Sequence, residues 1–246
     1  MQLQRFAPLV LLVSLPLFAV AQQSEQSYSR RNTFSSFFAY SNDSSHIILG
    51  TAMNRKIGAL GFQYQRRLVH RRPLDLYYEA EIRPAMLESD PAEVMTGINL
   101  APTPGTVALG QDAVLECHPS NSSISTFTIG STTYSNYTQY TCSRRTVVEQ
   151  GFAPAGIRIN LAPRHRLQLT FSSIAGYMFS TQEVPIPDAG SFNYTFDFGG
   201  GLEYYLSRNR SVRLEYQVQH FSNKKTADEN PGVDSGFIKL TFAFGR

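Results

Sequence analysis

The chain has 246 residues, of which 42% are apolar and 17% charged; it holds 17 Phe and 13 Tyr, and 22 Lys and Arg against 19 Asp and Glu give a formal net charge of +3. That composition supplies enough apolar material for one packed unit and excludes a disordered or fibrous chain. The Lys and Arg are scattered in ones and twos, so no basic stripe exists to follow a phosphate backbone, which excludes a nucleic-acid binder.

The first 21 residues stand apart. Arg5 gives a positive start, Phe6 to Phe18 form a short apolar core, and Ala19-Val20-Ala21 is a small-x-small cleavage site. Residues 1–21 are therefore expected to be a signal peptide that is removed on export, leaving 22–246 as the mature unit. No cysteine follows the cleavage site, so no lipid anchor is expected, and no later stretch is apolar for long enough to cross a membrane as a helix.

From residue 56 onward the hydropathy alternates with period two. Leu60, Phe62 and Tyr64 alternate with polar or small residues, as do Leu76, Tyr78, Ala80 and Ile82, then Ile157, Ile159 and Leu161, then Leu167, Leu169 and Phe171. Three more segments follow, marked by Tyr194, Phe196, Phe198 and Leu202, by Val212, Leu214, Tyr216 and Val218, and by Ile238, Leu240, Phe242 and Phe244. These are seven predicted strands. An eighth lies in the N-terminal part, at either 33–40 or 46–51.

Both a soluble sandwich and a membrane barrel alternate in this way, so the decision rests on what each face carries. The polar faces hold Glu79, Glu81, Arg158, Arg166, Asp197, Glu203, Arg213 and Glu215, a mixture of signs suited to a narrow lumen of paired charges. The other faces are rich in aromatics, and the connections alternate short and long. The short ones are 69–73, 163–164 and 207–209; the long ones are 84–151, 179–191 and 223–233. The predicted fold is therefore all-β, an eight-stranded antiparallel transmembrane barrel with one long extracellular insertion at about 84–151, in the outer membrane of a Gram-negative-type cell. The two cysteines, Cys117 and Cys142, fall inside that insertion and are expected to form a disulfide. One departure from the usual outer-membrane pattern is that the last aromatic, Phe244, is followed by Gly245 and Arg246.

Parity then singles out a constellation. If Val212, Leu214, Tyr216 and Val218 face lipid, so do His220 and Ser222, at the point where the strand leaves the hydrocarbon. On the neighbouring strand the same even parity reaches Asp234, provided that no bulge intervenes. Side chains two apart on a strand have roots about 7 Å apart, so the imidazole can lean on the hydroxyl while the cross-strand carboxylate takes the other ring nitrogen. Ser, His and an acid in that relation suit nucleophilic ester hydrolysis. The plainer reading is of polar residues at a membrane interface.

The run His220-Phe221-Ser222-Asn223, then Asn230-Pro231-Gly232 and Asp234, after Arg213-Leu214-Glu215-Tyr216 and before an aromatic final strand, resembles the PagL-like lipid A 3-O-deacylase (acyloxyacyl hydrolase) family. The resemblance is close over the last 35 residues and elsewhere extends to signal peptide, strand number and length. It implies an outer-membrane esterase that removes the 3-O-linked hydroxyacyl chain of lipid A, with lipid A or lipopolysaccharide as substrate and no metal or cofactor. Carried over by position, Ser222 is the nucleophile, His220 the base and Asp234 the acid, with Asn223 and Asn230 around the oxyanion. Asp234 departs from a pattern that has Glu there, and a side chain one methylene shorter puts the reach of the triad in question. Two other readings use the same sequence: a structural, loop-presenting barrel and an outer-membrane phospholipase.

The remaining candidates point to structure. Glu79 and Glu81 are expected to pair with Arg158 or Arg166 inside the lumen. Gly199-Gly200-Gly201 lies within a strand pattern and lacks the Lys-Ser/Thr of a phosphate loop. His46, His70, His118 and His165 have no ligand spacing and read as loop or turn residues. Lys224 and Lys225 are either solvated loop lysines or contacts for lipid A phosphates.

Overall fold

The computed structural model describes residues 27–246, so the expected signal peptide at 1–21 lies outside the described residues. Eleven strands form one sheet: β1 (Asn32–Ser41), β2 (Lys56–His70), β3 (Leu74–Ala101), β4 (Gly105–Ala113), β5 (Ser120–Asn121), β6 (Ser125–Ile129), β7 (Thr132–Leu161), β8 (Leu167–Ser180), β9 (Phe192–Ser207), β10 (Arg210–Ser222) and β11 (Val233–Gly245). Eight of them close a ring in the order β1, β2, β3, β7, β8, β9, β10, β11, with β11 pairing back onto β1 and every pair antiparallel. Closure leaves the wall without a free edge, which is what allows strands to cross hydrocarbon with all main-chain groups paired. Among the described residues no helix is long and apolar enough to cross a membrane.

The eighth strand is β1, at the first of the two N-terminal alternatives. Residues 46–51 instead form part of the loop between β1 and β2. Their apolar run Ile47-Ile48-Leu49 imitates a strand, but the loop pairs with the wall through isolated bridges, Ser44 with Ser235 and Ala52 with Val233, and not as a continuous ladder.

The two faces of the wall differ as alternation requires. Outward stand Phe34, Phe62, Phe198, Leu214, Ile238 and Phe242, all well exposed. Inward, Arg158 bridges Glu79 at 2.6 Å and Glu215 at 2.7 Å, while Arg213 holds the other oxygen of Glu215 at 2.8 Å. Arg30 reaches Glu203 at 2.6 Å, and Arg83 reaches Asp197 at 2.9 Å. Glu81 departs from its expected partners: it is bound by Arg83 and Lys239, each at 2.5 Å. Arg166 is exposed beside β8 and donates to Tyr28 Oη, because residue 166 precedes the strand and never enters the lumen. Towards the long-loop end the charged lumen gives way to an apolar plug that includes Phe37, Ile57, Met86, Met178, Phe221 and Phe237.

The long connection expected at 84–151 is itself a sheet. β3 and β7 run for 28 and 30 residues, roughly three times what a barrel strand needs to cross a bilayer, and remain paired from Leu74 with Leu161 to Ala101 with Ser135. β4 adds to the free side of β3, and β5 and β6 to β7. Both faces of this projecting hairpin are largely open, so hydropathy carries no period-two signal there. The Cys117–Cys142 disulfide fastens the segment after β4 to β7.

Candidate active site

The site forms where β10 and β11 end beside the loops. The β10–β11 ladder runs without a bulge from Arg210 opposite Phe244 to Phe221 opposite Val233, so His220 and Asp234 are direct cross-strand partners on the outward face. The outward row of β10 is Val212, Leu214, Tyr216 and Val218, followed by His220 and Ser222. Phe221, of opposite parity, points into the plug and is fully buried, which anchors the strand between the two polar residues.

His220 Nδ1 lies 2.6 Å from Asp234 Oδ1, and His220 Nε2 lies 3.2 Å from Ser222 Oγ. These partners define the tautomer. A carboxylate only accepts, so Nδ1 carries the proton, and Nε2 presents its lone pair to the Ser222 hydroxyl. Asp234 is fully buried, while the His220 side chain remains 17% exposed. Proton transfer can therefore run from Ser222 to His220 while the charge of Asp234 stays shielded.

Two glycines leave room for this packing. A Cβ on Gly232, whose φ is +62°, would stand 3.2 Å from His220 Cε1; one on Gly50 would stand 2.5 Å from the Asp234 nitrogen and 2.9 Å from its Cγ. The Asp234 Oδ2 atom accepts main-chain N–H groups from the β1–β2 loop, at Ile47, Ile48, Leu49 and Gly50. Sequence reasoning missed this contribution. Its signal was Gly50 directly after an apolar run, read there as part of the alternative strand at 46–51.

Asn223 and Asn230 meet, in different roles. Asn223 is buried, and its Nδ2 donates to the carbonyls of Ala189 and Glu229, both at 2.6 Å. Its main-chain N–H donates to Asn230 Oδ1 at 3.0 Å, which turns the Asn230 amide so that its NH2 end points the other way. Asn223 thus braces the β10–β11 loop, and its amide hydrogens are committed. Lys224 and Lys225 follow with φ of +52° and +64°. The Lys224 ammonium lies 4.8 Å from the centre of the Tyr194 ring, and Tyr194 is the β9 partner of Ser222. Phe196, partner of His220, continues the exposed aromatic row.

His70 lies at the opposite end, 2.5 Å from Asp75; His118 is in the projecting hairpin, 3.5 Å from Glu116; His165 is in the β7–β8 turn. His46 closes its own loop by donating to the Gly50 carbonyl at 2.7 Å. Gly199-Gly200-Gly201 is strand interior in β9. Among the described residues no group of His, Cys, Asp or Glu is arranged to hold a metal ion.

Fold and site together define a class: a closed antiparallel barrel of outer-membrane type with a Ser, His and Asp in hydrogen-bonded series on its outward surface. The family model of the lipid A 3-O-deacylase (PagL) matches residues 110–243, more than half of the chain, and the chain belongs to that family of outer-membrane lipid A deacylases. The match contains Ser222, His220 and Asp234 and leaves out the β1–β2 loop. No curated protein matches the chain. Among solved structures, the chain is similar to Neisserial surface protein A (NspA), at 7% identity over 87% of this chain and 97% of that one, with a TM-score of 0.44. The outer membrane protein OprG from Pseudomonas aeruginosa is similar at 7% identity over 90% and 99%, with a TM-score of 0.41. LpxR from Salmonella typhimurium is similar at 7% identity over 87% and 100%, with a TM-score of 0.25.

Proposed function

We propose that the chain is a serine esterase that hydrolyses the 3-O-linked hydroxyacyl chain of lipid A at its lipid-facing surface. The observation that carries this reading is the position of His220 between Asp234 and Ser222, on the outward face and directly beyond the apolar row of β10. A substrate with its acyl chains in the bilayer and its ester at the headgroup boundary reaches that height without leaving the membrane.

Ser222 Oγ attacks the ester carbonyl carbon as His220 Nε2 takes its proton, and Asp234 stabilises the imidazolium that results. The carbonyl π electrons move to oxygen, and the amide NH2 of Asn230 is the donor assigned to that oxyanion, with Asn223 holding Asn230 in place. Collapse of the tetrahedral adduct expels the sugar oxygen, which takes the proton from His220 and leaves the acyl group on Ser222. Water then repeats the sequence, with His220 as base, to release the hydroxy fatty acid and restore the hydroxyl. Lys224, set beside Tyr194, supplies a cation for a lipid A phosphate.

The test is mass spectrometry of lipid A from cells that make the wild-type chain or Ser222→Ala, with folding confirmed by heat-modifiable gel mobility. Loss of one ester-linked hydroxyacyl mass with the wild type alone supports the reading. Unchanged lipid A with both folded proteins would overturn it; phospholipids would then be assayed in the same cells, since loss of their acyl chains with the wild type alone would identify a phospholipase and no change a barrel without this chemistry.

A further inference from the structure

The relay uses one oxygen of Asp234, and the other is held by a device that ester hydrolysis does not by itself require. Oδ2 accepts four successive main-chain N–H groups, from Ile47 at 3.1 Å, Ile48 at 2.5 Å, Leu49 at 2.9 Å and Gly50 at 2.9 Å. Successive N–H groups turned inward form a concave anion nest. This one is closed by the hydrogen bond from His46 to the Gly50 carbonyl. It is also laced to the strand that bears its guest: Ser45 N–H donates to the Asp234 carbonyl at 3.0 Å, Thr51 N–H to Pro231 at 2.9 Å and Ala52 N–H to Gly232 at 3.1 Å. On the other side, Ser44 Oγ donates to the Ala52 carbonyl and accepts from Arg55 N–H, which fixes the base of the loop.

The device matters because Asp234 is short. Its root is fixed opposite His220 by the strand register, and only two side-chain torsions remain to aim Oδ1 at Nδ1. A carboxylate held at one oxygen alone can turn about those torsions; one held at both cannot. The form of the clamp matters equally. An arginine or lysine on Oδ2 would also hold the carboxylate, but a full positive charge there would oppose the imidazolium formed when His220 takes the serine proton. Main-chain dipoles fix the carboxylate without introducing a competing unit charge.

We infer that the β1–β2 loop is the positioning element of the acid. Its nest at Ile47, Ile48, Leu49 and Gly50 keeps Asp234 aimed at His220 Nδ1, so that these four residues act on the reaction through Asp234. Gly50 is the indispensable member, because a Cβ there enters the space of Asp234 itself. The inference rests on the proposed role of Asp234 as the acid of the relay.

The test uses the full barrel, purified and folded in detergent, with lipid A as substrate and with 15N-labelled histidine for NMR. Gly50→Ala is expected to lower kcat about 10²-fold while KM stays unchanged, the penalty of a misdirected catalytic group. In the same sample the His220 ring is expected to change from one Nδ1–H tautomer to a mixture. His46→Ala removes the hydrogen bond that closes the nest at the Gly50 carbonyl without adding bulk at Asp234 and is expected to move both readouts in the same direction; it is the deciding variant if Gly50→Ala does not fold. Unchanged kcat and an unchanged His220 tautomer in the folded variants would overturn the positioning role. If the wild type leaves lipid A intact, the esterase reading fails by itself, and the tautomer measurement still decides whether the nest aims Asp234.

Discussion

Two buried carboxylates, one inside the barrel and one at its rim, are held by opposite means. Glu215 lies in the lumen between two guanidinium groups, Arg158 at 2.7 Å and Arg213 at 2.8 Å, and its charge is cancelled by partners that never titrate. Asp234 faces outward, with an imidazole on one oxygen and main-chain N–H groups on the other. The lumen arrangement resists any movement of charge, which suits a lumen filled with fixed ion pairs. The rim arrangement sets an imidazole between the carboxylate and a hydroxyl. Both residues are carboxylates with almost no exposure, so burial does not separate structure from chemistry here; the nature of the partner does.

That contrast can be broken from either side. The largest expected effect is at the rim, where Asp234→Asn replaces an acceptor of the Nδ1–H with a group able to present hydrogens to it. Deacylation by the folded barrel should fall about 10³-fold in kcat, equivalent to about 4 kcal/mol of transition-state stabilisation, with the temperature of the heat-modifiable transition little changed. An unchanged rate would remove Asp234 from the mechanism. In the lumen, Glu215→Gln should do the reverse. It leaves Arg158 and Arg213 without a shared counter-charge, and loss of one member of a buried ionic network destabilises by about 3 kcal/mol. The unfolding midpoint in urea should drop, while the rate per folded molecule stays at the wild-type value. A Glu215→Gln barrel of full stability would show that the lumen pairs contribute little.

The same contrast explains what was legible in the sequence. A wall with lipid on one side and a charged lumen on the other forces strict alternation, so seven of the eight ring strands can be read from hydropathy and parity, and β1 as one of two N-terminal alternatives. Parity also reached Ser222 and His220, because a polar pair on an apolar face violates the pattern that surrounds it. Three things were not legible. The projecting part of β3 and β7 is wet on both faces, so nothing there alternates. The choice of Arg83 and Lys239 for Glu81 depends on positions across the lumen that local spacing does not encode. The nest on Asp234 is made of main-chain N–H groups, which every residue but proline carries and which therefore leave no side-chain signature; Gly50 alone marks it.

The smallest effect expected tests the surface beside the site. Lys224 has a left-handed main chain, φ +52°, and its ammonium stands over the ring of Tyr194, the cross-strand neighbour of Ser222. The Asn223 brace fixes where this lysine leaves the loop, since Asn223 Oδ1 accepts the next N–H, from Lys225, at 2.8 Å. A cation held in that place would act on the substrate's phosphate in the bound state and the transition state alike, because the phosphate takes no part in the bond change. Uniform binding of this kind appears in KM and leaves kcat alone. Lys224→Ala should therefore raise KM for lipid A about fivefold, the range of about 1 kcal/mol expected of an exposed charged contact, with kcat unchanged. The difference from wild type should shrink as salt is raised, since both charges stand in the aqueous boundary where ions screen them. A fall in kcat instead would mean that Lys224 helps to shape the loop that carries Asn230, and would move it from substrate binding to the support of the oxyanion.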